Sequence, residues 1–130
     1  MTDDPRLERI RRYVAAYNAF DLDGMLEGLH PDVVFRNISD GAVTHETAGL
    51  AAFRAQAEAA AGLFAERGQT IVSVTEADDP AGGLRVGIAY AATLASDLPG
   101  GMKAGDRITL TGESLFGFRD GRIALIVDRS

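Results

Sequence analysis

Residues 107–127 read RITLTGESLFGFRDGRIALIV, and this stretch decides the fold. Ile108, Leu110, Gly112, Ser114, Phe116 and Phe118 alternate with Thr109, Thr111, Glu113 and Leu115. A period of two belongs to a β-strand. Arg119-Asp120-Gly121 is a turn signal, so 107–118 and 122–127 pair as a hairpin. Upstream, 84–96 repeats the alternation, with Leu84, Val86, Ile88, Tyr90, Ala92 and Leu94 on one side. Residues 70–76 predict a further strand. Turns at 79–83 and a longer loop at 98–106 connect these pieces, giving four consecutive strands.

The N-terminal half reads differently. Leu7, Ile10, Val14 and Tyr17, with Tyr13 and Phe20 alongside, form an apolar stripe at helical spacing over 4–20,. Asp3 or Asp4 caps that helix and Pro5 suits its first turn. Asp21 opens a short second helix over 22–29, which Pro31 prevents from continuing. Residues 32–38 (DVVFRNI) predict a strand, and 43–46 a short one after the Asp40-Gly41 turn. Leu50, Phe53, Ala57, Ala61 and Phe64 predict a third helix over 48–66, closed by Gly68. Helices first and an antiparallel meander last imply an α+β fold with helices on one face of a curved sheet. No linker or repeat interrupts the 130 residues, so a single domain is expected.

Composition narrows the chemistry. Cysteine is absent, which removes disulfides, thiol catalysis and Cys-ligated metals,. Two histidines, His30 and His45, do not make a metal cage, and no cofactor is expected,. The net charge of −6 argues against a nucleic-acid partner, whose phosphates need a basic surface,. No apolar run is long enough to span a membrane. The opening MTDDPRLERIRR lacks the apolar segment of a signal peptide, so a cytoplasmic location is expected,.

Three segments carry a family resemblance. Arg12 to Met25 (RYVAAYNAFDLDGM) resembles the helix junction "Y-x-x-A-x-N-x-x-D-x-D" of nuclear transport factor 2-like domains of the SnoaL-like type. His30 to Phe35 (HPDVVF) resembles that family's first strand, and Phe118 to Ile123 (FRDGRI) its final hairpin. One departure is that no glycine stands near Glu46, where many relatives carry one before the third helix. The resemblance implies a cone-shaped α+β barrel, three helices packed on a strongly curved, mostly antiparallel sheet around a pocket. Members include ketosteroid isomerases, polyketide cyclases, dehydratases and non-catalytic modules, so the fold does not choose among functions.

The resemblance also assigns candidate residues. Tyr13 matches the oxyanion-binding tyrosine of the isomerases; it also fits the helix stripe as plain core. Asn37 stands where they carry the general-base aspartate, and an amide cannot take a proton. Ser114 stands where they carry a protonated aspartate. Asp128 resembles the final-strand aspartate of the polyketide cyclases, with Ser114 in place of their histidine. Strand parity puts Asp128 on the face of Ala124 and Ile126, taken as the pocket face, with Ile123, Leu125 and Val127 opposite. Tyr90, Phe35 and Phe116 are further candidate lining residues, Tyr90 also fitting as plain core; Arg54 reads as an exposed helix residue and is otherwise a candidate anion-binding or Asp128-pairing residue. His45 lies near the pocket rim; His30 reads as a helix-end residue.

Two functions follow. One is a cofactor-free isomerase, dehydratase or cyclase acting on a small apolar carbonyl or hydroxyl compound, with Asp128 as acid/base and Tyr13 holding the substrate oxygen. The other is a non-catalytic ligand-binding or dimerisation module. The doubly apolar last strand, with Thr109, Thr111 and Leu115, also suggests a homodimer through the outer sheet face.

Overall fold

The computed structural model describes residues 4–130. Helix α1 spans Pro5–Asn18; the Asp4 side chain caps it, accepting from the Arg6 N–H at 2.9 Å. Helix α2, Leu22–Glu27, starts on Asp21, whose carboxylate accepts from the Gly24 N–H. Strands β1 (Leu29–Ser39) and β2 (Ala42–Ala48) follow, then helix α3 (Leu50–Ala61). Strands β3 (Phe64–Glu76), β4 (Leu84–Leu94), β5 (Arg107–Arg119) and β6 (Arg122–Arg129) complete the chain.

The order of elements and the α+β class match the sequence reading. The six strands form one sheet, ordered β2-β1-β6-β5-β4-β3. Only the β1–β6 pair is parallel. The sheet curls without closing: β2 and β3 are its free edges, so it is a cone rather than a completed barrel. Helices cover the hollow side. Ile10 of α1, Met25 of α2 and Phe53 of α3 meet Val33, Val86, Phe116, Ile123 and Ile126 of the sheet in the core. These side chains are at most 2% exposed.

Three local expectations need correction. Helix α3 stops at Ala61 with Gly62 as its cap, so 64–68 are strand and Gly68 ends nothing. The alanine-rich helix buries only Phe53 and Ala57, whereas Phe64 to Gly68 pair with β4, apart from a bulge at Ala65, and place the Phe64 ring 6.3 Å from that of Tyr90. Ile123 is wholly buried in the core rather than on the outer face. The β5–β6 register slips between Gly117 and Phe118, Ala124 is left without an opposite residue, and parity reverses there,. A glycine does precede α3: Gly49, at φ +90°, donates its N–H to the Val33 carbonyl. It lies three residues after Glu46.

Crowding requires the glycine at position 112. A Cβ on Gly112 of β5 would collide with the Arg129 backbone carbonyl, whereas one on Gly68 of β3 would meet nothing within 4 Å. Gly112→Ala should therefore cost about 1–3 kcal/mol through overpacking, and Gly68→Ala should be neutral or stabilising by up to about 1 kcal/mol. Urea midpoints of the two variants check this; equal midpoints would contradict it.

Candidate functional site

Register across the sheet assembles the site. His45 of β2 pairs with Asn37 of β1, Asn37 with Asp128 of β6, and Asp128 with Ser114 of β5. Opposite residues share a face, so four polar side chains form one rank across four strands. The neighbouring rank is Phe35, Ile126, Phe116 and Leu84, all apolar and buried. The polar rank thus borders a cavity of about 350 Å³ whose other walls are largely hydrocarbon and aromatic. Helices supply Tyr13, Tyr17 and Phe53, and the edge strand β3 supplies Arg67 and Gln69.

Asp128 is the acid of this cavity. The Ser114 hydroxyl donates to its Oδ1 at 2.6 Å. Burial lifts the Asp128 carboxyl to about 6, and the Ser114 hydrogen bond opposes that rise,. The group can therefore hold or release a proton near neutral pH. Tyr13 lies close enough to sense it. Burial raises the Tyr13 phenol above its ordinary range, the Asp128 charge adds to the rise, and the Arg67 charge opposes it. A phenol kept neutral in this way is a donor that does not ionise. Its ring packs against Phe53 and Phe116 at 6.5 and 6.0 Å, so Tyr13 belongs to the core and reaches the cavity as well.

The other candidates divide. Tyr90 and Phe35 line the cavity. Asn37 also lines it, but its amide donates to Thr44 Oγ1 at 2.8 Å across the β1–β2 turn. Phe116 is core beneath Tyr13 and does not line the cavity. Arg54 is not a pocket residue. It sits on the outside of α3, paired with Asp23 and Glu58 at 3.1 Å, because Phe53 occupies the inward turn. His45 stands exposed at the rim. His30 lies inside β1 rather than at a helix end; its Nδ1 accepts from the Asp32 N–H and its Nε2 is 3.5 Å from Asp120.

Arg67 was missed by sequence reasoning. It is 7% exposed and lines the cavity. Read as the residue after an α3 helix, it carried no signal. Counting back by twos from Ile71, the inward side chains are Gln69 and Arg67, and strand parity would have found both. Among the described residues no three potential ligands cluster as a metal site, and no helix is long and apolar enough to cross a membrane.

Comparison with known proteins agrees with this architecture. A model of the SnoaL-like domain matches residues 10–126. No curated protein matches the sequence. Among solved structures, a candidate polyketide cyclase from Xanthomonas campestris is similar with a TM-score of 0.80 and 23% identity, over 97% of this chain and 90% of that one. AclR from Streptomyces galilaeus, described as a candidate hydroxylase, gives 0.71 and 22%, over 95% and 86%. TerC, co-crystallised with polyporic acid, gives 0.75 and 21%, over 96% and 90%. At these identities the likeness speaks for the fold alone. The matched domain spans nearly the whole chain, and the three sequence segments fall where its helices, first strand and last hairpin lie: the protein belongs to the SnoaL-like family, on the nuclear transport factor 2-like fold.

Proposed function

We propose that the cavity binds a small, mostly apolar molecule bearing a carbonyl or hydroxyl group and moves a proton on it. Asp128 is the acid/base, and the Tyr13 phenol donates to the substrate oxygen as negative charge develops there. The reaction class is a cofactor-free isomerisation, dehydration or cyclisation. One observation carries this reading: a carboxyl lifted to about 6 by burial, facing an apolar cavity beside a buried phenol. Structural neighbours described as candidate polyketide cyclases support it, as does the crystallisation of one neighbour with a small organic molecule.

A carboxyl titration followed by carbon-13 NMR tests the reading. Asp128 should titrate near 6, and a midpoint near the ordinary aspartate value of about 3.9 would remove it as the acid/base. That outcome would favour the second reading, a non-catalytic binding module. The uncharged Asn37 and Ser114, flanking Asp128 in its rank, are what that alternative rests on.

We further infer that the outer sheet face pairs with a second copy. Gly68, Thr70, Ala89, Ala91, Thr109 and Thr111, with Tyr90 and Leu110 beside them, line a shallow hollow across β3, β4 and β5. Small side chains let two sheets approach closely. Sedimentation at micromolar concentration should show a dimer, and a monomer there would refute the pairing.

A further inference from the structure

The far wall of the cavity, three strands from Asp128 in the sheet order, is built of donors. Arg67 is nine-tenths buried in a protein of net charge −6, yet no carboxylate among the described residues lies within 4.0 Å of it. Its Nε donates to the Tyr17 carbonyl at 2.9 Å and its Nη2 approaches the Met25 sulfur at 4.0 Å. Its Nη1 has no hydrogen-bond partner among the described residues, and the side chain lines the cavity.

The guanidinium is clamped rather than loose. Its Cζ lies 3.7 Å from the Tyr17 ring centroid and 4.5 Å from that of Phe20. Phe20 holds a left-handed conformation, φ +57°. It occupies the position after the α1 cap where glycine is usual: the Phe20 N–H bonds the Tyr17 carbonyl and the Asp21 N–H bonds that of Ala16,. A bulky residue at this position is unfavourable on backbone grounds, and here it sets a ring on Arg67. Asn18 fixes the same corner, its amide exchanging two hydrogen bonds with the Gln69 backbone on the free edge of β3.

Neighbouring groups extend the donor wall. The Tyr17 hydroxyl donates to that of Tyr90 at 3.2 Å, which leaves the Tyr90 proton without an acceptor among the described residues. The Gln69 side chain lines the cavity beside them and makes no hydrogen bond among the described residues. A buried cation held by aromatic faces, with two further donors at hand, requires an acceptor, and a negatively charged one most of all.

We propose that the ligand of this cavity carries an anionic oxygen, a carboxylate or an acidic enolate, seated on the Arg67 guanidinium while its apolar body extends toward Asp128. The inference deepens the proposed function by naming the substrate class as an organic acid, and it rests on ligand binding in this cavity. Arg67 is a binding residue in this scheme and takes no part in proton transfer.

The test uses 2-naphthoate and its neutral counterpart 2-naphthamide, titrated into the whole protein at pH 7.5 by calorimetry. The acid should bind at least roughly tenfold tighter, the worth of a charge-assisted hydrogen bond. The preference should vanish in Arg67→Met and survive in part in Arg67→Lys. In the wild-type protein, the Arg67 Nε–H resonance should shift with naphthoate and stay in place with naphthamide, a reading that needs no variant to fold. Equal binding of the two compounds, no binding of either at millimolar concentration, or a preference that persists in Arg67→Met would overturn the inference and leave Arg67 as a clamp on the end of α1. Asp128→Asn separates the two proposals: it should retain the preference for the acid even if Asp128 proves to titrate as an ordinary aspartate.

Discussion

Replacing Asp128 with asparagine should cripple the proposed proton transfer and, above pH 6, make the protein more stable. The two effects have one cause. The folded state holds the carboxyl at about 6, against 3.8 for an unperturbed aspartate. Below about pH 4 the group is protonated in both folded and unfolded chains, and its burial carries no penalty. As pH rises toward 6 the unfolded chain ionises first, so folding loses stability; above 6 the loss is constant. The difference amounts to no more than about 3 kcal/mol. Asparagine has the same shape, still accepts from the Ser114 hydroxyl and never ionises. Thermal melts should therefore coincide at pH 4 and diverge by pH 8, with Asp128→Asn the higher. Turnover of a substrate, once one is in hand, should fall by roughly 10²–10⁴-fold. A variant less stable than wild type at pH 8 would show that the carboxylate is stabilised in the fold and not strained by it.

Phe53→Ala should be among the most damaging single changes in the protein. Phe53 is 1% exposed, and its ring meets Tyr13 at 6.5 Å and Phe35 at 5.8 Å, edge-on to the latter. It is the larger of the two α3 side chains buried, so it is what holds that helix over the mouth of the cone. Truncation should cost about 3–5 kcal/mol, read as a drop in the urea midpoint at unchanged slope. The cavity would widen at the same time, so any ligand that still binds should do so more weakly. A loss below about 1 kcal/mol would mean that α3 collapses inward and refills the space.

Much of this was written in local pattern. Alternation in 84–94 and 107–118 and the apolar stripe of 4–20 are properties of short windows, and the strands and first helix stand where those windows put them. The placement of Asp128 on the cavity face also came from parity, because the β6 register is regular from Leu125 onward. The failures have physical origins too. Ile123 lies on the other side of an unpaired Ala124, and a bulge resets the alternation without leaving a mark in composition. The end of α3 was hidden because Phe64 sits at helical spacing from Ala57 and Ala61, which carried the expected stop past Gly62 to Gly68. That one error concealed Arg67. Of the two readings of Arg54 the exposed one holds: its neighbour Phe53 takes the inward position, and Arg54, about 100° further round the helix, pairs with Asp23 and Glu58 on the surface. The parallel contact of β1 with β6 joins residues some ninety positions apart and depends on the whole chain closing up.

The single file of His45, Asn37, Asp128 and Ser114 has a consequence for how such a protein diversifies. Each member arrives on its own strand, and Asn37, Asp128 and Ser114 are backed by the row of Phe35, Ile126 and Phe116, which supports the architecture independently. Exchanging one letter in that file alters the proton inventory of the chamber while leaving its walls standing. Single substitutions in that file therefore change which protons the chamber can offer without the refolding that would follow if acid, donor and wall shared the same residues.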